Sequence, residues 1–147
     1  MAIRGDFPAL RSAIVRVAKL GEMGPRVAHE ASVEIAALIG AQFANGVNPY
    51  GTPWKALAPA TVAKGRAAPP LTDTGRMKGS IVVAGEGSRI VVKIGDMKAG
   101  FHQWGARRGR WKLPKRQIVP DGRVPDQWRQ RIRSVARDVA RDILAGR

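Results

Sequence analysis

The side chains with most scope for chemistry are six cations that fall within ten positions. Arg and Lys neutralise phosphates, and indole faces stack on bases or on arginine. This basic loop, residues 104–116, therefore suits contact with nucleic acid or with an acidic protein surface. The alternative is that its charges are solvated and its tryptophans pack a hairpin. The loop contains Arg107, Arg108, Arg110, Lys112, Lys115 and Arg116, together with Trp104 and Trp111.

Residues that could catalyse a reaction or hold a metal ion are few. The chain has two histidines and no cysteine, which excludes disulfides and thiolate metal sites. His29 lacks a second histidine at helical ligand spacing, so we interpret it as a surface or helix-packing residue. Turn or capping roles explain Asp73 and Asp96. We expect a non-enzymatic protein without metal or other cofactors.

Positive charge is concentrated toward the C-terminal end of the sequence. The net charge of +15 divides into +1 over residues 1–50, +5 over 51–100 and +9 over 101–147. Such asymmetry favours contact with a polyanion or an acidic surface. A length of 147 residues suits one domain, so residues 1–147 are predicted to form a single unit.

The first 22 residues have neither the apolar block of a signal peptide nor about 20 consecutive apolar residues that could span a membrane. Charged residues interrupt this amphipathic stretch every few positions. We therefore expect a protein that folds in the cytoplasm and has no membrane partner.

Helical spacing predicts three helices. Asp6 is placed to cap the first, which runs from Pro8 to about Gly21, and the second extends from near Pro25 to Asn45. Its small residues, among them Ala28 and Ala36, would let another element approach closely. The last helix lies between Pro125 and Gly146. Its apolar stripe consists of Trp128, Ile132, Val135, Val139 and Ile143.

The middle of the chain lacks helical spacing. Residues 46–75 contain five prolines, which predicts an irregular arm with one short helix after Pro59. Thr72 or Thr74 is placed to cap a short helical turn at Gly75 to Gly79. Residues 81–84 and 89–94 are rich in β-branched side chains and predict a hairpin, and 101–104 and 117–119 are candidate further strands. The expected class is α+β: a mostly antiparallel sheet packed by N-terminal and C-terminal helices, with a proline-rich extended arm.

Four short segments follow one another in a recognisable order. They are WKALAPAT at 54–61, PLTDTGRMKGSI at 70–81, AGFHQWG at 99–105, and LPKR followed by IVP at 113–120. This order resembles the Mu-type phage virion morphogenesis, or tail-completion, family. One departure is Lys98, where that family usually has an aromatic residue.

The resemblance implies a structural component of the phage virion. Such proteins form a ring, often a hexamer, at the neck or as a tail terminator at the head-proximal end of the tail. Their partners are further copies of the chain, the tail tube protein and head-side connector proteins. The alternative is a free basic nucleic-acid-binding protein, for which the charge gradient and the basic loop are the evidence.

Six residues in the recognised segments are candidate structural anchors or subunit contacts. His102, Gln103 and Trp104 suit either a buried hydrogen-bond network or a subunit contact. Ring contacts are expected from the edge of the hairpin and from the arm, and the basic loop is expected to meet packaged DNA in the ring's lumen or an acidic neighbour. The six candidates are Trp54, Leu57, His102, Gln103, Trp104 and Pro114.

Overall fold

A computed structural model describes residues 8–66 and 68–147 of the chain. It confirms the α+β class, with six helices and two separate two-stranded antiparallel sheets in those residues. The predicted cap at Asp6 lies outside the described residues. The elements are α1 Pro8–Lys19, a 3-10 turn Leu20–Glu22, α2 Met23–Asn45, α3 Pro59–Val62, α4 Arg76–Gly79, β1 Ile81–Glu86, β2 Arg89–Ile94, α5 Ala99–Trp104, β3 Ala106–Arg108, β4 Trp111–Leu113 and α6 Asp126–Ala145.

Helix α2 is the central element, with the β1–β2 hairpin and α6 packed against it. Its buried face carries Ala28, Ala31, Ile35, Ile39 and Phe43, at the three- and four-residue spacing of one helical stripe. The helix ends at Asn45 as predicted, and Gly46, with a φ of 65°, forms a left-handed cap. Ala36 was expected on the packed face but is exposed.

The β1–β2 hairpin approaches α2 closely at a glycine. Ile81 pairs with Ile94 at the open end, and Glu86 pairs with Arg89 beside the turn. A Cβ on Gly85 would lie 2.6 Å from the backbone nitrogen of His29. Strand and helix therefore touch through their backbones, which no other residue at position 85 would allow.

Helix α6 lies antiparallel to α2, as two ion pairs show. Arg26 of α2 bonds to Asp142 at 2.8 Å, and Glu34 lies 3.7 Å from Arg131. The predicted apolar stripe of α6 faces inward, with Trp128 buried in the core. The helix ends at Gly146 as predicted, and this glycine has the left-handed conformation.

Two predicted strands and one predicted cap are wrong. Residues 101–104 belong to α5, which follows a turn in which the carboxylate of Asp96 accepts a bond from the Lys98 amide at 2.9 Å. Residues 117–119 form no strand, because side chains bond their backbone. The turn α4 forms as expected, but the Thr72 hydroxyl donates to the Pro69 carbonyl instead of capping it.

The arm matches its prediction in outline. Within the described part of residues 46–75, α3 is the one helix and begins at Pro59 as expected, and an isolated bridge pairs Val47 with Pro53. None of the helices in residues 8–66 and 68–147 is both long and apolar enough to cross a membrane.

Replacing Gly85 with alanine should destabilise the protein, because the added methyl group would collide with backbone atoms of α2 that cannot move aside. Overpacking of this kind costs about 1–3 kcal/mol, and we expect the upper part of that range in the free energy of unfolding measured by urea denaturation. Gly95→Ala is the matched control, since its Cβ would meet Ser80 at an ordinary 3.6 Å. Equal losses in both variants would contradict the close approach.

Candidate interaction surfaces

The chain from Arg116 to Val119, here called the central segment, is held by an amide side chain from α5. Gln103 is buried, and its Oε1 accepts bonds from the amides of Ile118 at 2.8 Å and Val119 at 3.1 Å. Its Nε2 donates to the carbonyl of Val119 at 2.8 Å. The Gln103 side chain thus makes backbone hydrogen bonds that a neighbouring strand would otherwise make. The Gln103 side chain therefore lies in a buried hydrogen-bond network, the first of the two roles expected for this region.

Helix α2 and the arm hold the same segment from other sides. Gln42 of α2 donates to the Ile118 carbonyl at 3.1 Å, and the Trp54 indole donates to the Gln117 carbonyl at 2.8 Å. The Trp54 ring packs edge to face on Phe43, with ring centroids 5.2 Å apart. Trp54 therefore anchors the arm by both polar and apolar contacts.

Arg116 has a different role from the one expected. Its side chain is buried, and its guanidinium donates to the carbonyls of Lys55 at 2.8 Å and Ala56 at 3.1 Å. Burial lowers the pKa of this guanidinium. Arg116 therefore fastens the arm to the central segment and does not belong to the exposed cationic surface.

Leu57, Pro114 and His102 are only partly buried. Leu57 and His102 line a cleft of about 530 Å³ between the arm, α4 and the start of α5, together with Arg76 and Lys98. The Nδ1 atom of His102 is shielded from solvent and has no hydrogen-bond partner in the described residues. Burial lowers the pKa of His102, and the charges of Arg116 and Lys98 lower it further against the opposing effect of Asp96.

Helix α5 presents an apolar patch to solvent, which we call the α5 patch. Trp104 is 65% exposed, Phe101 on the same helix is 57% exposed, and Met97 in the turn before α5 is 91% exposed. The ammonium of Lys115 lies 5.5 Å from the centroid of the Trp104 ring, a cation–π contact. The Trp104 ring is therefore not packed in the interior. Its predicted role as a subunit contact is the one to test.

The predicted basic loop is an ordered hairpin, β3–β4, which we call the basic hairpin (residues 106–113). Arg107 lies directly opposite Lys112, and Arg108 opposite Trp111. Arg107, Arg108, Arg110 and Lys112 are all exposed, and none forms an ion pair within the described chain. Four of the six predicted cations therefore lie exposed and unpaired on one short hairpin, with Arg107 and Lys112 on one face and Arg108 on the other.

Lys115 is the remaining cation of the six, and it is paired. Its ammonium bonds to the Asp121 carboxylate at 2.8 Å, and this bond is the main cause of the lowered pKa of Asp121. Among the residues that the structure describes, no group of three or more His, Asp or Glu side chains could hold a metal ion.

The apolar residues whose spacing predicts helix α1 lie on its exposed side. Leu10, Ile14 and Val17 are between 56% and 59% exposed, and no residue of this helix is buried. The side turned toward the body carries Ala13 and Arg16 instead. An apolar stripe at helical spacing usually faces a core, so the pattern gave no sign that this one faces solvent.

The recognised segments now have defined positions. The first two run along the arm into β1, the third forms α5, and the fourth contains the central segment. The sequence model of the phage virion morphogenesis family matches residues 6–140. The chain belongs to this family. Membership in the phage virion morphogenesis family gives it a role in the structure or assembly of a phage, and confirms the resemblance seen in the sequence. No curated protein and no solved structure matches the chain significantly.

Gln103→Met should lower the free energy of unfolding by about 2–4 kcal/mol, because the buried amides of Ile118 and Val119 would lose their acceptor and each unsatisfied group costs about 1–3 kcal/mol. Chemical denaturation measures this loss. Gln130→Met on the exposed side of α6 is the control and should change stability by less than about 0.5 kcal/mol. A similar small change in both variants would mean that Gln103 does not support the central segment.

Acid should destabilise the protein through His102. Because the folded pKa lies below the usual 6.5, the unfolded chain binds the proton more readily, and stability present at pH 7.5 is lost as the pH falls below about 6.5. His102→Gln should remove part of this loss between pH 7.5 and 5.5 in thermal unfolding. His29→Gln, at the other histidine, which is exposed on α2, should leave the loss unchanged. A pH dependence identical in His102→Gln and the unmodified protein would contradict the assignment.

Proposed function

We propose that the protein is a ring-forming component of the phage neck, which completes the tail as a tail terminator or joins it to the head. Membership in the phage virion morphogenesis family supports a role in the virion or its assembly. The observation that carries the finer proposal is the exposed apolar stripe of α1, which a solitary subunit would have no reason to keep. The working stoichiometry is a hexamer.

Closed rings of identical subunits require heterologous contacts, in which one surface meets a different surface of the next copy. The chain offers two separate apolar surfaces of this kind, the α1 stripe and the α5 patch. The β1–β2 hairpin, whose two edges have no further strand in the described residues, and the arm are additional contact regions. We assign the ring interface to these four regions.

The ends of the ring would bind other virion proteins. In this proposal one end meets the tail tube protein and the other meets head-side connector proteins. The subunit acts only through its surfaces and catalyses no reaction.

A free nucleic-acid-binding protein is the second candidate, favoured by the unpaired cations of the basic hairpin. Such a protein would remain a monomer or dimer and bind nucleic acid with an affinity that falls steeply as salt rises. Ring formation in the absence of nucleic acid separates the two candidates.

The test is negative-stain microscopy and light scattering of the purified full chain. We expect closed rings from the unmodified protein and smaller species from Leu10→Gln/Ile14→Gln/Val17→Gln, because the triple variant removes the apolar area that α1 would bury between subunits. Circular dichroism should show at most the loss of α1, with the rest of the helical signal unchanged, because these side chains pack against no core in the subunit itself.

Val33→Gln is the control, because Val33 is an equally apolar side chain, 65% exposed on α2 and outside the four contact regions. It should assemble like the unmodified protein. Monodisperse monomers from the unmodified protein, both alone and with purified tails, would overturn the proposal.

A further inference from the structure

We infer that the basic hairpin is a binding site for the phosphate backbone of duplex DNA, read without regard to sequence. The inference rests on the proposed function only for the source of that DNA, the packaged genome passing through a ring. The binding itself follows from the charges and geometry of residues 106–113.

The basic hairpin combines unpaired cations with a stretch of sequence that has no carboxylates. Several arginines elsewhere have a carboxylate partner: Arg26 bonds to Glu30 and Asp142, Arg129 to Asp126, and Arg141 to Asp138. Others, such as Arg133 and Arg137 on α6, form no ion pair in the described residues. The hairpin differs from these because no Asp or Glu occurs in the sequence between Asp96 and Asp121. Its four charges are therefore available to an anionic partner.

The strand register brings two of these charges together. Arg107 and Lys112 are directly opposed across the β3–β4 pair, and like charges at such positions repel. A hairpin of two three-residue strands is only marginally stable by itself. An anion bound between the two cations would remove the repulsion, so the bound form is the more stable one.

The tip of the hairpin is open to a large partner. Gly109 has a φ of 57°, and a Cβ built there would meet no atom within 4 Å. Arg108 and Arg110 on either side are exposed. The clamped base at Arg116, whose amide donates to the His102 carbonyl at 2.7 Å, fixes where the hairpin leaves the body.

Duplex DNA fits this surface better than an acidic protein does. Protein interfaces have a desolvated apolar centre and are depleted in lysine, whereas DNA backbones are bound by exposed arginine and lysine without such a centre. The four cations and the glycine turn of the basic hairpin fit the description of a DNA-binding surface. The exposed rings of Phe101 and Trp104 lie on α5, outside the strands, where the ring interface is proposed.

The experiment measures binding of a mixed-sequence 30-base-pair duplex to the full chain by fluorescence anisotropy over a series of salt concentrations. Arg107→Gln/Arg108→Gln/Arg110→Gln should weaken binding roughly 10- to 100-fold at low salt. The slope of log affinity against log salt should fall by about 3, because each of the three arginines neutralises one phosphate in the complex. Arg107→Lys/Arg108→Lys/Arg110→Lys keeps the charge and should retain the slope.

Arg133→Gln/Arg137→Gln/Arg141→Gln on α6 is the matched control, which removes the same charge from another exposed surface. It should leave the slope within about 1 of the unmodified protein. Equal losses in the two glutamine variants would show that net charge alone binds DNA and would overturn the inference. Unchanged DNA binding in the hairpin variant would also overturn the inference, and so would the absence of DNA binding by the unmodified protein. If the unmodified protein binds no DNA and the hairpin variant fails to join tails, the partner is an acidic protein.

Microscopy of the same samples separates this inference from the proposed function. Rings that form in the hairpin variant together with lost DNA affinity support both. DNA binding through the hairpin by a protein that never forms rings would support the inference and overturn the neck proposal. Rings that form while the DNA affinity does not depend on the hairpin would support the neck proposal and overturn the inference.

Discussion

The structure depends on the way in which the central segment is held. Its backbone is bonded by side chains from three places, Gln42 on α2, Trp54 in the arm and Gln103 on α5. These bonds are buried, so losing one leaves a polar group without water or partner. Helix α5, the arm and the basic hairpin all take their positions from this segment, which means that the candidate surfaces are oriented by buried amides and not by a sheet.

The elements that the sequence predicted correctly are those whose signals are local. Helices α2 and α6 follow from apolar spacing and glycine caps, and the β1–β2 hairpin from β-branched runs around a turn. Residues 117–119 have the composition of a strand, but their partners lie 76 and 63 positions away, at Gln42 and Trp54. A single sequence does not reveal that distant side chains occupy the bonds which a neighbouring strand would need.

The cations show how far residue type alone can define a site. Lys115 and Arg116 are neighbours in sequence, yet one is exposed and the other is buried beneath the arm. The arm has no strand partner at Lys55 and Ala56, and their carbonyls accept bonds from the Arg116 guanidinium instead. The sequence predicted that positive charge gathers here. It could not predict that Arg116 would be the cation buried by its hydrogen bonds to the backbone of the arm.

Helix α1 is the element whose stability the subunit itself explains least. A helix of 12 residues is marginal in water by itself, and α1 gains little from its own chain because none of its side chains is buried. Leu10, Ile14 and Val17 are exposed, so they add little to the stability of the monomer. In the proposed ring another copy would cover these side chains, so that formation of α1 and growth of the ring would support each other.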